Sequence, residues 1–171
     1  MEFDLTDKKP DVRKLEELRG MLFDTEWEKT APNLDLYYMY RMLDKKDGLR
    51  YDITIIPPNM LGSEFVKTKG HNHAGFYGEV YIVLEGEGFY LFQKGDENKI
   101  DDVCVVKAKK GESVVIPAGY GHVTINPSNN KELKMANWVK EEDKGNFSLF
   151  EKNHGACYYY TKNGWQKNEN Y

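Results

Sequence analysis

An all-β domain is what this sequence predicts, and three observations carry that expectation. Short runs rich in Val, Ile, Tyr, Phe and Thr recur along most of the chain, punctuated by Gly, Pro, Asn and Asp. Only one stretch spaces its apolar residues as a helix would. At 171 residues the chain is long enough for one domain with its own core, and no repeat, low-complexity tract or linker divides it. The expected organisation is a single domain over residues 1–171. An N-terminal extension with a helix occupies 1–30, and an antiparallel sandwich or small barrel occupies 34–161.

The helical stretch runs from Asp11 to about Phe23. Leu15, Leu18 and Leu22 recur at helical spacing with Val12 one turn earlier, and Asp11 follows Pro10 as a possible N-cap. Gly20 weakens its second half, and such a helix would cover one edge of a sheet. Strands are then expected at Leu34–Leu43, Leu49–Ile56, Phe65–Thr68, Glu79–Glu85, Phe89–Gln93 and Val103–Ala108. They continue at Glu112–Ile116, His122–Asn126, Lys134–Lys140, Phe147–Glu151 and Ala156–Thr161. Turn signals separate them, among them Pro57-Pro58-Asn59, Lys94-Gly95-Asp96 and Pro127-Ser128-Asn129-Asn130. Val80-Tyr81-Ile82-Val83-Leu84 is apolar at every position, whereas a sheet with one wet face alternates. This strand lies either between two sheets or against a second subunit, and the second option implies a homodimer.

Composition narrows the function classes. Hydrophobic residues at 40% and charged residues at 30% describe a soluble globular chain. A net charge of −4 argues against broad attraction to nucleic acid or anionic membrane. No apolar run approaches the ~20 residues of a spanning helix, and the N-terminal residues lack the basic-then-apolar pattern of a secretory signal. The only cysteines, Cys104 and Cys157, are far apart, which excludes a disulfide scaffold or zinc ribbon and fits a reducing cytoplasm. Twelve tyrosines (12 Tyr) make a Tyr-lined pocket a fair expectation.

Three of the four histidines (His 4) sit in informative places. His71-Asn72-His73 directs two imidazoles to the same face of an extended strand. Glu79 follows a Gly-containing connection, and His122 opens a later strand after Gly111…Pro117-Ala118-Gly119. Each alone is more often a solvated or hydrogen-bonded residue. Together, converging inside a barrel, three imidazoles and a carboxylate would hold a first-row divalent cation with open positions. His154, in Lys-Asn-His-Gly, reads as an exposed loop histidine, and Tyr158-Tyr159-Tyr160 as a packed strand.

These residues make the sequence resemble the cupin superfamily. Gly111, Pro117, Gly119, His122 and Asn126 match its second motif, G-x5-P-x-G-x2-H-x3-N, position for position. His71, His73, Glu79 and Gly86 match most of the first, G-x5-H-x-H-x3,4-E-x6-G. Phe65 replaces the leading Gly, and five residues separate His73 from Glu79, which points to a subfamily with a longer insertion. Thr54-Ile-Ile-Pro57, Glu64, Thr68-Lys-Gly70-His71, Leu84-Glu-Gly86-Glu-Gly88 and Leu91-Phe-Gln93 are similar to the archaeal-type, cupin-fold glucose-6-phosphate isomerases. The likeness runs from about Leu34 to Trp138 and is densest between 54 and 126. That family has a His and a Tyr on a late strand, for which Lys144-Gly-Asn-Phe147 offers no clear equivalent.

The resemblance implies a cupin fold, a double-stranded β-helix or jelly-roll barrel, and interconversion of glucose 6-phosphate and fructose 6-phosphate. It implies His71, His73, Glu79 and His122 as ligands of one divalent metal ion per subunit, with Fe2+ first and Mn2+, Ni2+, Zn2+ or Co2+ also suited. It makes Tyr37, Thr54, Thr68 and Gly70 the phosphate contacts, to which Lys67 or Lys69 could add charge. Glu79 is the candidate proton-transfer base, Tyr81 shares its face of the strand, and Tyr77 could close over the ligand. A metal-assisted hydride shift needs no such base and stays open. Two rivals are weighed: another metal-dependent cupin enzyme, such as an Fe(II) dioxygenase, and a non-catalytic sugar-binding cupin.

Overall fold

Strand pairing is antiparallel among the described residues and builds two facing layers in a computed structural model that describes residues 3–171. The first layer contains β1 (Asp11–Lys14), β2 (Asp35–Lys46), β3 (Leu49–Ile56), β6 (Glu79–Glu85), β9 (Ser113–Ile116) and β11 (Leu133–Lys140), in the order β1-β2-β3-β11-β6-β9. Opposite lies β10 (Gly121–Ile125) beside β7 (Glu87–Gly95) and β8 (Ile100–Lys109). A smaller sheet joins β4 (Met60–Leu61), β5 (Glu64–Phe65), β12 (Tyr158–Thr161) and β13 (Gly164–Lys167). The chain beyond β5 runs on beside β10, through Thr68 N–H to Thr124 O and a reciprocal pair between His71 and His122. The two smaller sheets therefore act as one layer, and the whole is the cupin jelly roll that the resemblance implied, a closed form of the antiparallel sandwich expected from the strand pattern.

The core fills the space between the layers. Leu36, Ile56, Tyr81, Val83, Tyr90, Phe92, Val114, Ile116, Leu133 and Met135 form one buried cluster there. Tyr81 and Val83 of β6 face inward, and Val80, Ile82 and Leu84 face out. The outward residues are half-buried, because Tyr51, Ile53, Ala136 and Trp138 make that face apolar and Phe3 and Leu5 lie against it. An unbroken apolar strand thus serves an inner core and an outer cluster that the chain partly covers itself.

Three expectations need correction. The helix over Asp11–Phe23 does not form. Asp11–Lys14 pairs with β2 instead, placing Val12 opposite Tyr38 and Arg13 opposite Tyr37. Leu15–Glu17 is a single 3-10 turn, and Gly20 adopts φ +79°. Leu15, Leu18 and Leu22 are buried as the spacing demanded, but in consecutive turns rather than in a helix. The first helix is α1 (Thr25–Thr30), capped by the Asp24 carboxylate accepting from Trp27 N–H. The strand expected at Phe147–Glu151 is a helix, α2 (Ser148–Lys152), started by Asn146 Oδ1 accepting from both Ser148 N–H and its hydroxyl. Finally, β13 lies past the expected end of the barrel, joined to β12 through Lys162-Asn163, with Gly164 at φ +91°. That Asn-Gly step is a hairpin signal the sequence did contain.

Lys67 is structural. Its ammonium is 2.5 Å from Glu64 Oε1 with both side chains almost fully buried, and it donates to Met21 O and sits 4.6 Å from the Tyr159 ring centroid. Glu64 Oε2 in turn accepts from Phe23 N–H. Burial raises the Glu64 pKa, and the Lys67 charge opposes that shift. Removing one partner leaves a charge buried without its counter-ion. Lys67→Met is expected to lower stability by about 3–5 kcal/mol, read by urea denaturation, and Glu64→Gln in the same chain to restore much of the loss.

Candidate active site

One end of the barrel gathers the polar residues. The reciprocal backbone bonds His71 N–H to His122 O (3.2 Å) and His122 N–H to His71 O (2.9 Å) hold these residues side by side, with ring centroids 4.5 Å apart. His73, two residues on, points the same way, its ring 5.5 Å from His71 and 5.6 Å from His122. Glu79 opens β6 on the facing layer. Its Oε1 accepts from Asn137 Nδ2 at 2.5 Å, and its Oε2 lies 3.3 Å from His122 Nε2 and 3.7 Å from His73 Nε2. Tyr81, two residues along β6, brings its hydroxyl to 3.1 Å from His122 Nε2.

Asp143, in the turn after β11, joins this group. Its Oδ1 lies 3.3 Å from His73 Nδ1 and accepts from the Tyr77 hydroxyl. Arg50 donates to the backbone carbonyls of Glu141 and Asp143 and pairs with Asp52 at 2.9 Å, which fixes the turn against β3. Tyr77 does not line the cavity; its ring lies 5.1 Å from that of His73 and its hydroxyl is turned to Asp143.

Burial dominates the electrostatics. It holds the His71 and His122 imidazoles at a pKa of about 3, helped by repulsion from His122 on His71 and from His73 on His122. It pushes Glu79 up to about 7, against the pull of His71 and His73. His73 moves the other way: burial would lower its pKa, but Asp143 and Glu79 together raise it. Asp143 falls to about 2, because contacts with His73 and Tyr77 outweigh its own burial.

Whether these residues suit a cation follows from the unmet lone pairs. Among the described residues, Glu79 Oε2, both His73 ring nitrogens and His122 Nδ1 are buried without a hydrogen-bond partner, a costly state for polar atoms. Ligand atoms of His71, Glu79 and His122 all lie within 4.8 Å of one another, as do those of His71, His73 and Asp143. Neutral imidazoles and a carboxylate at this spacing fit a first-row divalent ion.

A cavity of about 340 Å³ opens from this cluster between the two layers. All four residues expected at a phosphate, Tyr37, Thr54, Thr68 and Gly70, line it. The Tyr37 hydroxyl accepts from Lys69 N–H at 3.1 Å, and Thr68 Oγ1 accepts from Thr124 N–H at 3.0 Å. Gly70 adopts φ +82°, and a Cβ there would stand 2.5 Å from Val123 Cγ2 and 2.7 Å from Phe150 Cδ1, so only glycine fits. Lys69 is turned to Glu151, 2.6 Å away. His154 bonds Gly20 O and does not line the cavity.

Sequence reasoning missed Asn137, Asp143 and Arg50. Asn137 had a signal, a polar residue within the run Met135-Ala136-Asn137-Trp138-Val139 that is otherwise apolar. Asp143 had none, since only the turn after β11 brings it to His73.

Comparison with known proteins yields consistent matches. The family model described as Glucose-6-phosphate isomerase (GPI) matches residues 10–171. The glucose-6-phosphate isomerase of Thermococcus litoralis is 31% identical over 134 residues, covering 75% of this chain and 68% of that one. That of Pyrococcus furiosus is 32% identical over 124 residues, covering 69% and 64%. This chain therefore spans about two thirds of the length of these relatives. Among solved structures, Peruvianin-I, titled a cysteine peptidase from Thevetia peruviana latex, matches with a TM-score of 0.51 at 16% identity, covering 75% of this chain and 77% of that one. At that identity the likeness extends to the fold alone.

In protein stripped of divalent metal, NMR should show His71 and His122 neutral well below pH 5. The unfolded chain protonates both near the ordinary imidazole value of 6.5, so each costs stability as pH falls from about 6.5 toward about 3. Glu79, protonated in the fold from about 7 but only near 4.5 when unfolded, offsets part of this between those values. Imidazoles titrating near 6.5 in the folded state would contradict the buried arrangement.

Proposed function

The chain belongs to the glucose-6-phosphate isomerase family, a family of aldose–ketose isomerases, and from that premise we propose that it interconverts glucose 6-phosphate and fructose 6-phosphate at the end of the barrel described above. The observation that carries the reading is a single cavity with two chemically distinct walls. The His71 and His122 imidazoles and the Asp143 carboxylate stand at one, with Glu79 and His73 in the same cluster but not on the cavity lining, and hydroxyl donors with a closely approached glycine stand at the other. A sugar phosphate has the same two ends, a pair of reacting oxygens and a dianion.

His71, His73, Glu79 and His122 are the proposed ligands of one divalent ion. When bound, such an ion supplies Lewis-acid stabilisation of negative charge on the substrate oxygens O1 and O2. Asp143 Oδ1 stands 3.3 Å from His73 Nδ1, a charge contact that favours the ring orientation with Nε2 toward the cluster. Mixed imidazole and carboxylate ligation accepts Fe2+, our first choice, and also Mn2+, Co2+, Ni2+ or Zn2+.

Glu79 is the proposed base. Asn137 holds Oε1, so Oε2 would serve in turn as ligand and as the base that takes the proton from C2 and returns it to C1. The Tyr81 hydroxyl, 3.1 Å from His122 Nε2, is the proposed carrier of the accompanying proton between O1 and O2. Tyr77 acts through Asp143, holding its carboxylate beside His73. Tyr37 and Thr54 donate their hydroxyl protons to the phosphate, as does Thr68, whose Oγ1 already accepts from Thr124. Gly70 lets the backbone approach it closely.

A homodimer in the cytoplasm completes the proposal. The outer face of β6 and β9, with Val80, Ile82 and the largely exposed Val115, supports the first part. Two unpaired thiols, one of them exposed, suit a reducing compartment.

Isomerisation of fructose 6-phosphate, assayed as purified, after chelation and after reloading with Fe2+, Mn2+ or Ni2+, is expected to be lost on chelation and restored by metal. No activity with a demonstrably loaded site would overturn the proposal. His122→Ala should lose metal content and activity together. Glu79→Gln should lower kcat by about 10²–10⁴-fold with a smaller change in KM, and metal content measured alongside separates its two duties.

A further inference from the structure

Four neutral donors are a weak match for a dianion in a partly buried cavity, because transferring that charge from water calls for a counter-charge. The cavity wall already carries Asp52 and Asp143, which add negative charge. The cations nearest the proposed phosphate contacts are committed elsewhere, Lys67 to Glu64 and Lys69 to Glu151. On the wall itself, Arg50 is tied to Asp52 and to two backbone carbonyls, and Arg41 to Asp11 at 3.2 Å. Lys144 is exposed and follows Asp143 at the imidazole end.

Arg13 differs from all of these. It lies on β1 directly opposite Tyr37, whose hydroxyl bonds Lys69 N–H next to Gly70, so it stands at the hydroxyl-lined wall. Only 18% of its side chain is exposed. One terminal nitrogen pairs with Glu17, yet among the described residues its Nε is buried with no hydrogen-bond partner. The guanidinium carbon is 5.8 Å from the centroid of the Phe147 ring, which in turn is 5.7 Å from His71. Phe147 therefore borders both Arg13 and the imidazole cluster.

We propose that Arg13 binds the phosphate of the substrate and sets the preference for phosphorylated over neutral sugars; this rests on the isomerase reading above. A guanidinium offers fixed N–H donors matched to phosphate oxygens and stays charged at every working pH. Its unmatched donor and the charge that the four neutral contacts lack are then met by one ligand group.

The test uses the metal-loaded enzyme, fructose 6-phosphate as substrate and inorganic phosphate as competing ligand. Arg13→Met should raise both KM and the inhibition constant of phosphate about tenfold to a hundredfold, the loss of one charge-assisted contact, with a smaller fall in kcat. Arg13→Lys should recover part of this, keeping the charge without the fork. Thermal stabilisation by phosphate should shrink in R13M, while its melting temperature without ligand reports any structural cost of losing Glu17. R13Q, able to bond Glu17 still, is made alongside and judged by the same criteria if R13M does not fold. A KM and inhibition constant within twofold of the parent would overturn the proposal and leave the isomerase reading intact. A protein that turns over no sugar phosphate in any metal state, yet loses phosphate binding in R13M by calorimetry, would retire that reading and keep Arg13 as an anion site.

Discussion

Burying Glu79 beside three imidazoles is the constraint on which the rest of this barrel depends. A carboxylate removed from water is unstable unless its oxygens are bonded or faced by positive charge. Here one oxygen is held by Asn137, while the other faces His122 and His73 without a hydrogen-bond partner, and burial raises the carboxyl pKa to about 7. The two groups sit on opposite layers, so the barrel must close with β6 and β11 in one register and His71 beside His122 in another. A one-residue slip of either strand would send these side chains to the outer face. The apolar core between the layers, from Leu36 to Met135, enforces that register by the burial it would otherwise lose.

The same closure creates the two-ended cavity. Inward residues of β2 and β3, Tyr37 and Thr54 among them, face Thr68 and Gly70 on the chain beside β10. Gly70 is tightly enclosed, with Val123 of β10 and Phe150 of α2 occupying the space a side chain would need. The helix α2 contributes through Phe150, and the turn before it contributes Phe147. A segment that would have been one more edge strand thus becomes a plug over the imidazole end, while Arg50 anchors the Asp143 turn by its carbonyls.

The N-terminal segment shows how one pattern serves two structures. Leu15, Leu18 and Leu22 are buried whether the backbone coils as a helix or steps through turns, so their spacing specifies a face and not a backbone. Pairing decided the outcome. The edge of β2 offers Asp11–Lys14 hydrogen bonds that an isolated short helix with Gly20 in its second half could not match. With that choice Arg13 moves from a solvent-facing helix position to the cavity wall opposite Tyr37.

By itself, the sequence determined the jelly-roll class, ten of its strand segments in outline, and the ligand-type cluster of His71, His73, Glu79 and His122. Alternation, turn residues and motif spacing are local properties, and each of these features is written within a few consecutive residues. The tertiary structure alone decided the contributions of Asn137, Asp143, Arg50 and Arg13, whose partners lie on other strands. It also decided that α2 is a helix, that β1 is a strand, and that Lys67 serves Glu64 and not the cavity. Contacts between residues far apart in the chain have no signature in either stretch alone. They exist only once the core has fixed the register, which is why the chemistry of Glu79 was legible and the set of residues that hold and complement it was not.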